Sequence, residues 1–156
     1  MSNLKLTIMT HELCHEFFKG FQSDADIYMD MTKYNEYQYD KNKVDAYFET
    51  QQKTNRIVFL IMLDDKPIGE IKLKDIDYET KSCTLSIHLQ NDLVKNKGYG
   101  TNAEKLAIDY AFNELHLNKV YADAVLKNER SQHVLEKVGF TLIRKDDTFM
   151  YYVIEK

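Results

Sequence analysis

Tryptophan is absent from the chain, proline occurs once (Pro67), cysteine twice and glycine five times in 156 residues. Each scarcity removes a class of answer. With no Gly/Ser-rich or Pro-rich stretch, no repeat and no low-complexity segment, nothing marks a linker, so a single domain over 1–156 is expected. Cys14 and Cys83 lie far apart in sequence, neither in a CxxC pair, and no Cys/His cluster with zinc spacing is expected. A disulfide framework and a bound metal are therefore not expected; the thiols read as reduced and half-buried. No uninterrupted apolar run approaches the ~18 residues of a membrane span. The N-terminal stretch MSNLKLTIMTHE lacks the charged-then-apolar order of a signal peptide, so a cytoplasmic location is expected. Basic excess is lacking too: the net charge is −4 and the pI about 5.7. That argues against nucleic acid as a partner, which calls for a basic stripe, and suits a cationic one.

What is present is an ordinary globular balance, 44% hydrophobic and 29% charged. Leu4, Leu6 and Ile8 alternate with polar residues as in a half-buried strand. Thr10 can then cap a helix whose stripe is Leu13, Phe17, Phe18 and Phe21. Residues 22–50 hold seven acidic residues against three lysines, and five tyrosines. Helical pieces are expected there, the last over Lys43–Gln52 with Val44, Tyr47 and Phe48 inward. The run Arg56–Leu63 suits a central strand, Asp64-Asp65-Lys66 a turn, and Pro67–Leu73 the second arm of a hairpin. Ser82–Leu89 follows as a strand, with Cys83, Leu85, Ile87 and Leu89 on one face and Thr84, Ser86 and His88 on the other.

The period then changes from two to 3.6. Ala103, Leu106, Ala107, Tyr110, Ala111 and Leu115 line one side of a helix over roughly Gly98–Leu117. Lys119–Val125 reads as a strand and Ser131–Val138 as a short helix, ended by Gly139. Phe140–Arg144 and Phe149–Ile154 close the chain as a hairpin. The pattern predicts an α/β (α+β) fold with three layers and a mixed sheet. The crossover through the long helix should make strands 82–89 and 119–125 parallel.

Lys95-Asn96-Lys97-Gly98-Tyr99-Gly100-Thr101 opens that helix. A diphosphate needs several N–H donors aimed at one place, which a helix start supplies along with its positive dipole end. Gly98 and Gly100 keep side chains out of the way, Lys95 and Lys97 add charge, and Thr101 adds a hydroxyl. No Gly-Lys-Ser/Thr follows, so this is no Walker loop. Ala103 stands where a dinucleotide fingerprint needs its third glycine.

Asn128-Glu129-Arg130-Ser131 and Glu136-Lys137-Val138-Gly139-Phe140 flank the short helix. With these two segments, residues 55–156 resemble the GNAT superfamily of acyl-CoA N-acetyltransferases. The loop is similar to that family's Gln/Arg-x-x-Gly-x-Gly/Ala motif, with Lys95 at its first position. Ile87-His88-Leu89-Gln90 and Lys97-Gly98-Tyr99-Gly100-Thr101-Asn102-Ala103 are most similar to the branch holding ribosomal-protein N-terminal and spermidine-type acetyltransferases.

The resemblance implies a GNAT fold: α/β/α layers around a mixed, mostly antiparallel seven-stranded sheet. Acetyl-CoA would wedge between two parting parallel strands. By this likeness the backbone of Ile87, His88, Leu89 and Gln90 would pair with the pantetheine arm. Lys95 to Thr101, with Asn96 and Tyr99 among them, would hold the pyrophosphate, and Asn128 and Ser131 would touch the cosubstrate from the other side. The family's usual thiolate acid, a tyrosine, is replaced by Leu135. Its strand glutamate is replaced by Thr84. Ser131 then stands as acid or as helix cap, and His88 as base or as a strand residue whose backbone alone matters. Tyr151 and Tyr152 stand as a reach to the centre or as aromatic core. Tyr34, Glu36 and Tyr37, with Asp24, Asp26, Asp30, Tyr39 and Asp40, would wall a site for a primary amine, either a polyamine-like molecule or a peptide N-terminus. A non-catalytic acyl-CoA-binding module is the alternative to an enzyme, and a monomer or homodimer is expected.

Overall fold

The structure is a computed structural model and describes residues 3–23, 25 and 28–156. Asp24 and Asp26 lie outside the described residues. Seven strands form one sheet: β1 (Leu4–Ile8), β2 (Ile57–Leu63), β3 (Lys66–Asp77), β4 (Ser82–Leu89), β5 (Lys119–Val125), β6 (Thr141–Lys145) and β7 (Phe149–Glu155). Their order in space is β1-β2-β3-β4-β5-β7-β6. Every pairing is antiparallel except β4 with β5. The α-helices are α1 (His11–Lys19), α2 (Lys41–Gln51), α3 (Tyr99–Asn113) and α4 (Glu129–Val138).

Pleating sorts the apolar residues into two cores. On β2, Val58, Leu60 and Met62 face α1 and α2, packing with Met9, Cys14, Phe17 and Val44. Phe59 and Ile61 face the other way, into the larger core of α3, α4 and the rest of the sheet. Leu60, Ile61, Ile71 and Leu73 are fully buried, each contributing about 1.5–3 kcal/mol by leaving water. A strand with helices over both faces reads as an unbroken apolar run, which is why Ile57–Leu63 shows no alternation.

Some expected boundaries move. Ile8 is 55% exposed and Met9 is buried in its stead. The Met9 N–H donates to the Val58 carbonyl, and the chain turns there into α1. In α3 the inner face is Ala103, Glu104, Ala107, Ile108 and Ala111; Leu106 is 40% exposed. The helix ends at Asn113 because His116 takes a left-handed φ of 57°. Among the described residues, 22–40 hold 3₁₀ structure instead of the expected α-helical pieces: the turn Met31–Lys33, and Ala25. Asp30 and Asp40 cap that turn and α2.

The last expected helix starts two residues before Ser131. Its cap is Asn128, whose Oδ1 accepts the Ser131 N–H at 3.2 Å. Capping by an Asn carboxamide satisfies one of the open first-turn donors, so Ser131 is not the N-cap and its hydroxyl is not needed for that task.

Candidate functional site

The β4–β5 ladder is short. Ser82, Cys83 and Thr84 pair with Lys119, Val120 and Tyr121, and then the strands part. The register with β3 determines what the rest of β4 presents. The Gln90 N–H donates to the Ile68 carbonyl at 2.7 Å. Alternate residues of an antiparallel strand bond to the same neighbour. His88, opposite Glu70, therefore turns its backbone groups to β3. Ile87 and Leu89 turn theirs into the gap left by β5. Gln90 is committed further: its carbonyl accepts the Gln22 N–H, and its Nε2 donates to the Phe17 carbonyl at 2.8 Å. It stitches the end of β4 to the end of α1. Gly20 makes room for this, since a Cβ there would lie 2.6 Å from Gln90 Nε2.

Two cavities open along the gap. One, of about 230 Å³, runs between the parted strands and includes Leu85, Ala124, Leu135 and Phe149 in its wall. The other, of about 130 Å³, is walled by Phe21, Tyr28, Lys95, Gly100 and Glu104 among others. Ile87, His88, Asn128 and Ser131 line both. A strand from one side and a helix start from the other thus bring these four expected residues to one junction.

The loop 95–101 forms the rim of the second cavity through Lys95 and Gly100. Gly98 has φ 83°, and a Cβ at Gly98 or Gly100 would meet nothing within 4 Å. The glycines therefore leave open space over the helix start. Thr10, Asp40 and Asn128 cap α1, α2 and α4 through their side chains; α3 has no side-chain cap. Its first N–H groups and dipole end are left for an anion. The Lys95 side chain is 8% exposed, with Nζ 3.2 Å from Asp92 Oδ1. Lys97 is exposed, Asn96 takes a left-handed φ of 61°, and Tyr99 packs against the larger core. Thr101 is 7% exposed, so little of its hydroxyl is open to an anion.

Of the expected amine wall, Glu36 is exposed. Tyr37 packs against Phe18 and Phe21, with ring centroids 5.9 and 5.1 Å apart. Tyr34 meets Tyr28 edge-on at 5.7 Å. Neither tyrosine lines the cavities; Phe21 and Tyr28 do, with Tyr37 and Tyr34 behind them. The Tyr39 hydroxyl is tied to His15 Nδ1 at 2.6 Å. Tyr151 bonds Asp146 at 2.7 Å, and Tyr152 is wholly buried in the larger core. Both are absent from the cavity walls, so the reach to the centre is not met. Cys14 and Cys83 are buried, which pushes both thiols up to about 12 and keeps them protonated.

Two carboxyls escaped the sequence reading. Glu70 is 2% exposed beneath α2, takes a 2.6 Å hydrogen bond from the Tyr47 hydroxyl, and has Lys72 Nζ at 3.7 Å. It is His88's register partner. Glu104 is also 2% exposed, in the wall of the smaller cavity, with Oε1 unpartnered among the described residues. Burial pushes its pKa up to about 8. Its i+3 spacing from Thr101 was the available signal, hidden because glutamate reads as a solvent-facing residue.

A family model of the acetyltransferase (GNAT) domain matches residues 3–141. The chain belongs to the GNAT family. Among curated relatives, the GNAT chain is 31% identical to spermidine N(1)-acetyltransferase of Escherichia coli strain K12 over 84 residues, 54% of this chain and 45% of that protein. It is 32% identical to a putative ribosomal N-acetyltransferase, YdaF, of Bacillus subtilis over 80 residues, 51% of this chain and 43% of that one. The matched segment thus spans about half the length of these relatives. Among solved structures, spermidine N-acetyltransferase from Vibrio cholerae in complex with CoA and spermine superposes with a TM-score of 0.72 at 17% identity, covering 97% of this chain and 95% of that one. N-acetyltransferase PseH of Campylobacter jejuni gives 0.69 at 21%, covering 99% and 98%. At such identities these two likenesses speak for the fold. No helix of the described residues is long and apolar enough to cross a membrane.

The buried Glu104 sets a pH test. Folded, it keeps its proton up to about pH 8; unfolded, it releases it near the usual ~4.3. Between those values the unfolded state holds fewer protons, so stability falls as pH rises. Glu104→Gln removes this titration. Its melting temperature should gain on the wild type progressively from about pH 4.5 to pH 8, with a free-energy difference on the order of a few kcal/mol at the upper end. Parallel pH profiles for the two proteins in thermal melts would refute the assignment.

Proposed function

We propose that the whole chain is one catalytic domain, an acetyl-CoA-dependent N-acetyltransferase acting on a primary amine by direct attack. The observation that carries this reading is the junction where Ile87, His88, Asn128 and Ser131 line both cavities, beside a helix start without a side-chain cap. The pantetheine arm takes the place of the missing β5 partner, bonding the free backbone groups of Ile87 and Leu89. His88 and Gln90 contribute through side chain and position rather than through those bonds. The pyrophosphate sits over Gly98, Tyr99 and Gly100, held by first-turn N–H groups, with Lys95 beside it. Glu104, neutral at pH 7, puts no opposing charge under the anion.

The acetyl carbonyl then lies at the junction. A neutral amine attacks it, the C–N bond forms, the C–S bond breaks and the thiolate leaves. His88, in both walls and solvent-accessible, takes the amine proton directly or through water. Ser131, freed from capping, donates to the departing thiolate and recovers its proton from solvent. Leu135 is buried in the cavity wall and offers no proton in the family's usual tyrosine slot. The acceptor enters past Phe21 and Tyr28, an aromatic entrance that suits a cationic amine. Likeness to a spermidine N(1)-acetyltransferase and to a putative ribosomal N-acetyltransferase supports a polyamine-like molecule or a peptide N-terminus.

Acetyl-CoA should release CoA thiol when presented with one class among polyamines, amino acids, aminoglycosides and short peptides. Saturable binding without release for every amine would replace this reading with a non-catalytic acyl-CoA-binding module. Ser131→Ala should lower kcat by at least about tenfold with little change in the KM for acetyl-CoA. An unchanged kcat would remove Ser131 from the proton path. Gly98→Asp places a carboxylate where the phosphates sit. Calorimetry should show the acetyl-CoA Kd raised by more than about tenfold, and an unaltered Kd would overturn the loop assignment.

A further inference from the structure

Away from the junction, α1 begins with His11-Glu12-Leu13-Cys14-His15. Two histidines four apart lie on one face of a helix, a spacing that suits a zinc-type ion. The expectation that no histidine cluster has zinc spacing is thereby corrected. The third member comes from α2: Asp45 Oδ1 lies 2.6 Å from His11 Nε2 and 2.7 Å from His15 Nε2. One donor atom from each of the three residues falls within 4.8 Å of the others. We propose that His11, His15 and Asp45 form a site for one divalent transition-metal ion of the zinc type, clipping α1 to α2.

The donor chemistry selects the ion. Two imidazoles and one carboxylate suit zinc, cobalt or nickel; calcium and magnesium take all-oxygen sets. Tetrahedral coordination with bonds near ~2.0–2.1 Å places ligand atoms roughly 3.3 Å apart. Asp45 Oδ1 must therefore back away from each histidine nitrogen by roughly 0.6–0.7 Å while the two nitrogens, within 4.8 Å of each other, close on the ion, a rearrangement within the reach of side-chain rotation. The surroundings already resemble those of a ligand set. The Tyr39 hydroxyl meets His15 Nδ1 at 2.6 Å and can donate or accept. It serves the tautomer that donates from Nε2 to Asp45 and equally the one that frees Nε2 for a metal. Such outer partners fix ring orientation at metal sites. The His11 ring is packed edge-on against His15 at 4.6 Å and Phe48 at 5.4 Å, so its direction is set as well. Asp45 Oδ1 is hydrogen-bonded to both rings at once, which aims one carboxylate oxygen between the two imidazoles.

Access and position are also suitable. The His15 side chain is 11% exposed, Asp45 35% and His11 58%, so the site has an inner anchor and an open outer side. Glu12 is exposed and belongs to no cluster member's hydrogen bonds among the described residues, so hydrolysis is not part of the proposal. The two helices it joins carry Phe18 and Tyr47, in contact at 5.1 Å, and lead to Phe21 in the cavity wall. A bound ion would hold that wall without touching the reacting groups.

The test uses the full-length protein stripped with a chelator and titrated with zinc chloride by calorimetry. Cobalt(II) absorption serves as a report on coordination and magnesium as a control. One zinc ion per chain should bind and raise the melting temperature. Cobalt should give the visible spectrum of a low-coordinate nitrogen/oxygen site, and magnesium should do nothing. His11→Ala, at an exposed position, should weaken zinc binding by at least roughly tenfold and abolish the thermal shift. Asp45→Asn should do the same, whereas His133→Ala on α4 should leave both unchanged. Absence of saturable binding in the wild type, full affinity in His11→Ala, or an equal loss in His133→Ala would each reduce the cluster to a hydrogen-bonded contact between helices.

Discussion

The parting of β4 from β5 after three paired residues is the constraint to which the rest of the molecule answers. A strand inside a sheet must place its N–H and C=O groups somewhere, and beyond Thr84 the β5 side of β4 has no strand to take them. Neighbouring elements hold that gap open rather than closing it. Gln90 anchors the far end of β4 to α1. Gln132 Nε2 donates to the Val125 and Leu126 carbonyls, fixing the far end of β5 to α4. Leu126 is bonded in turn to Thr148 beside β7. With both strand ends tied outward, closure would cost several hydrogen bonds. The gap is a built feature of the sheet.

Much of this was legible from residue patterns, for definite reasons. The seven strands, the parallel crossover and the loop 95–101 announce themselves through periodicity and glycine placement, which depend only on near neighbours in the chain. What escaped depends on distant partners. Glu104 and Glu70 are buried because the sheet and α2 cover them, and no local pattern marks a glutamate for burial. The helix start at Glu129 was missed because Ser131 is as good a cap by type as Asn128; three-dimensional placement chose between them. Ile8 and Leu106 are apolar, yet they fall where the chain turns or the helix rotates out of the core. The His11–His15 spacing was present in the chain, but its third member stands thirty residues on, and only the packing of α2 on α1 brings it near.

The acidic, tyrosine-rich segment shows the same division of labour. Its composition suggested a wall for a cation. In the fold, Asp30 and Asp40 cap the starts of the 3₁₀ turn and α2, Tyr39 supports His15, and Tyr37 supports Phe21 from behind. Among the described residues, the surface facing the cavity is accordingly more aromatic than anionic. On the proposed function, the ring faces of Phe21 and Tyr28 and the negative charge of the whole chain draw in a cationic acceptor.

The bare start of α3 has a further consequence. The other three α-helices carry their own side-chain caps and this one carries none; on the proposed function a diphosphate would settle over Gly98 and Gly100. A diphosphate there would be the helix's missing structural member as well as a bound molecule. Folding and occupancy are then linked by mass action: the first turn of α3 would tighten as the ligand arrives and loosen as it leaves. The Ile87 and Leu89 backbone groups would gain their partners in the same event. On that reading the backbone hydrogen bonds of β4 and the first turn of α3 would be completed by the ligand, and the loaded form would be the more ordered one.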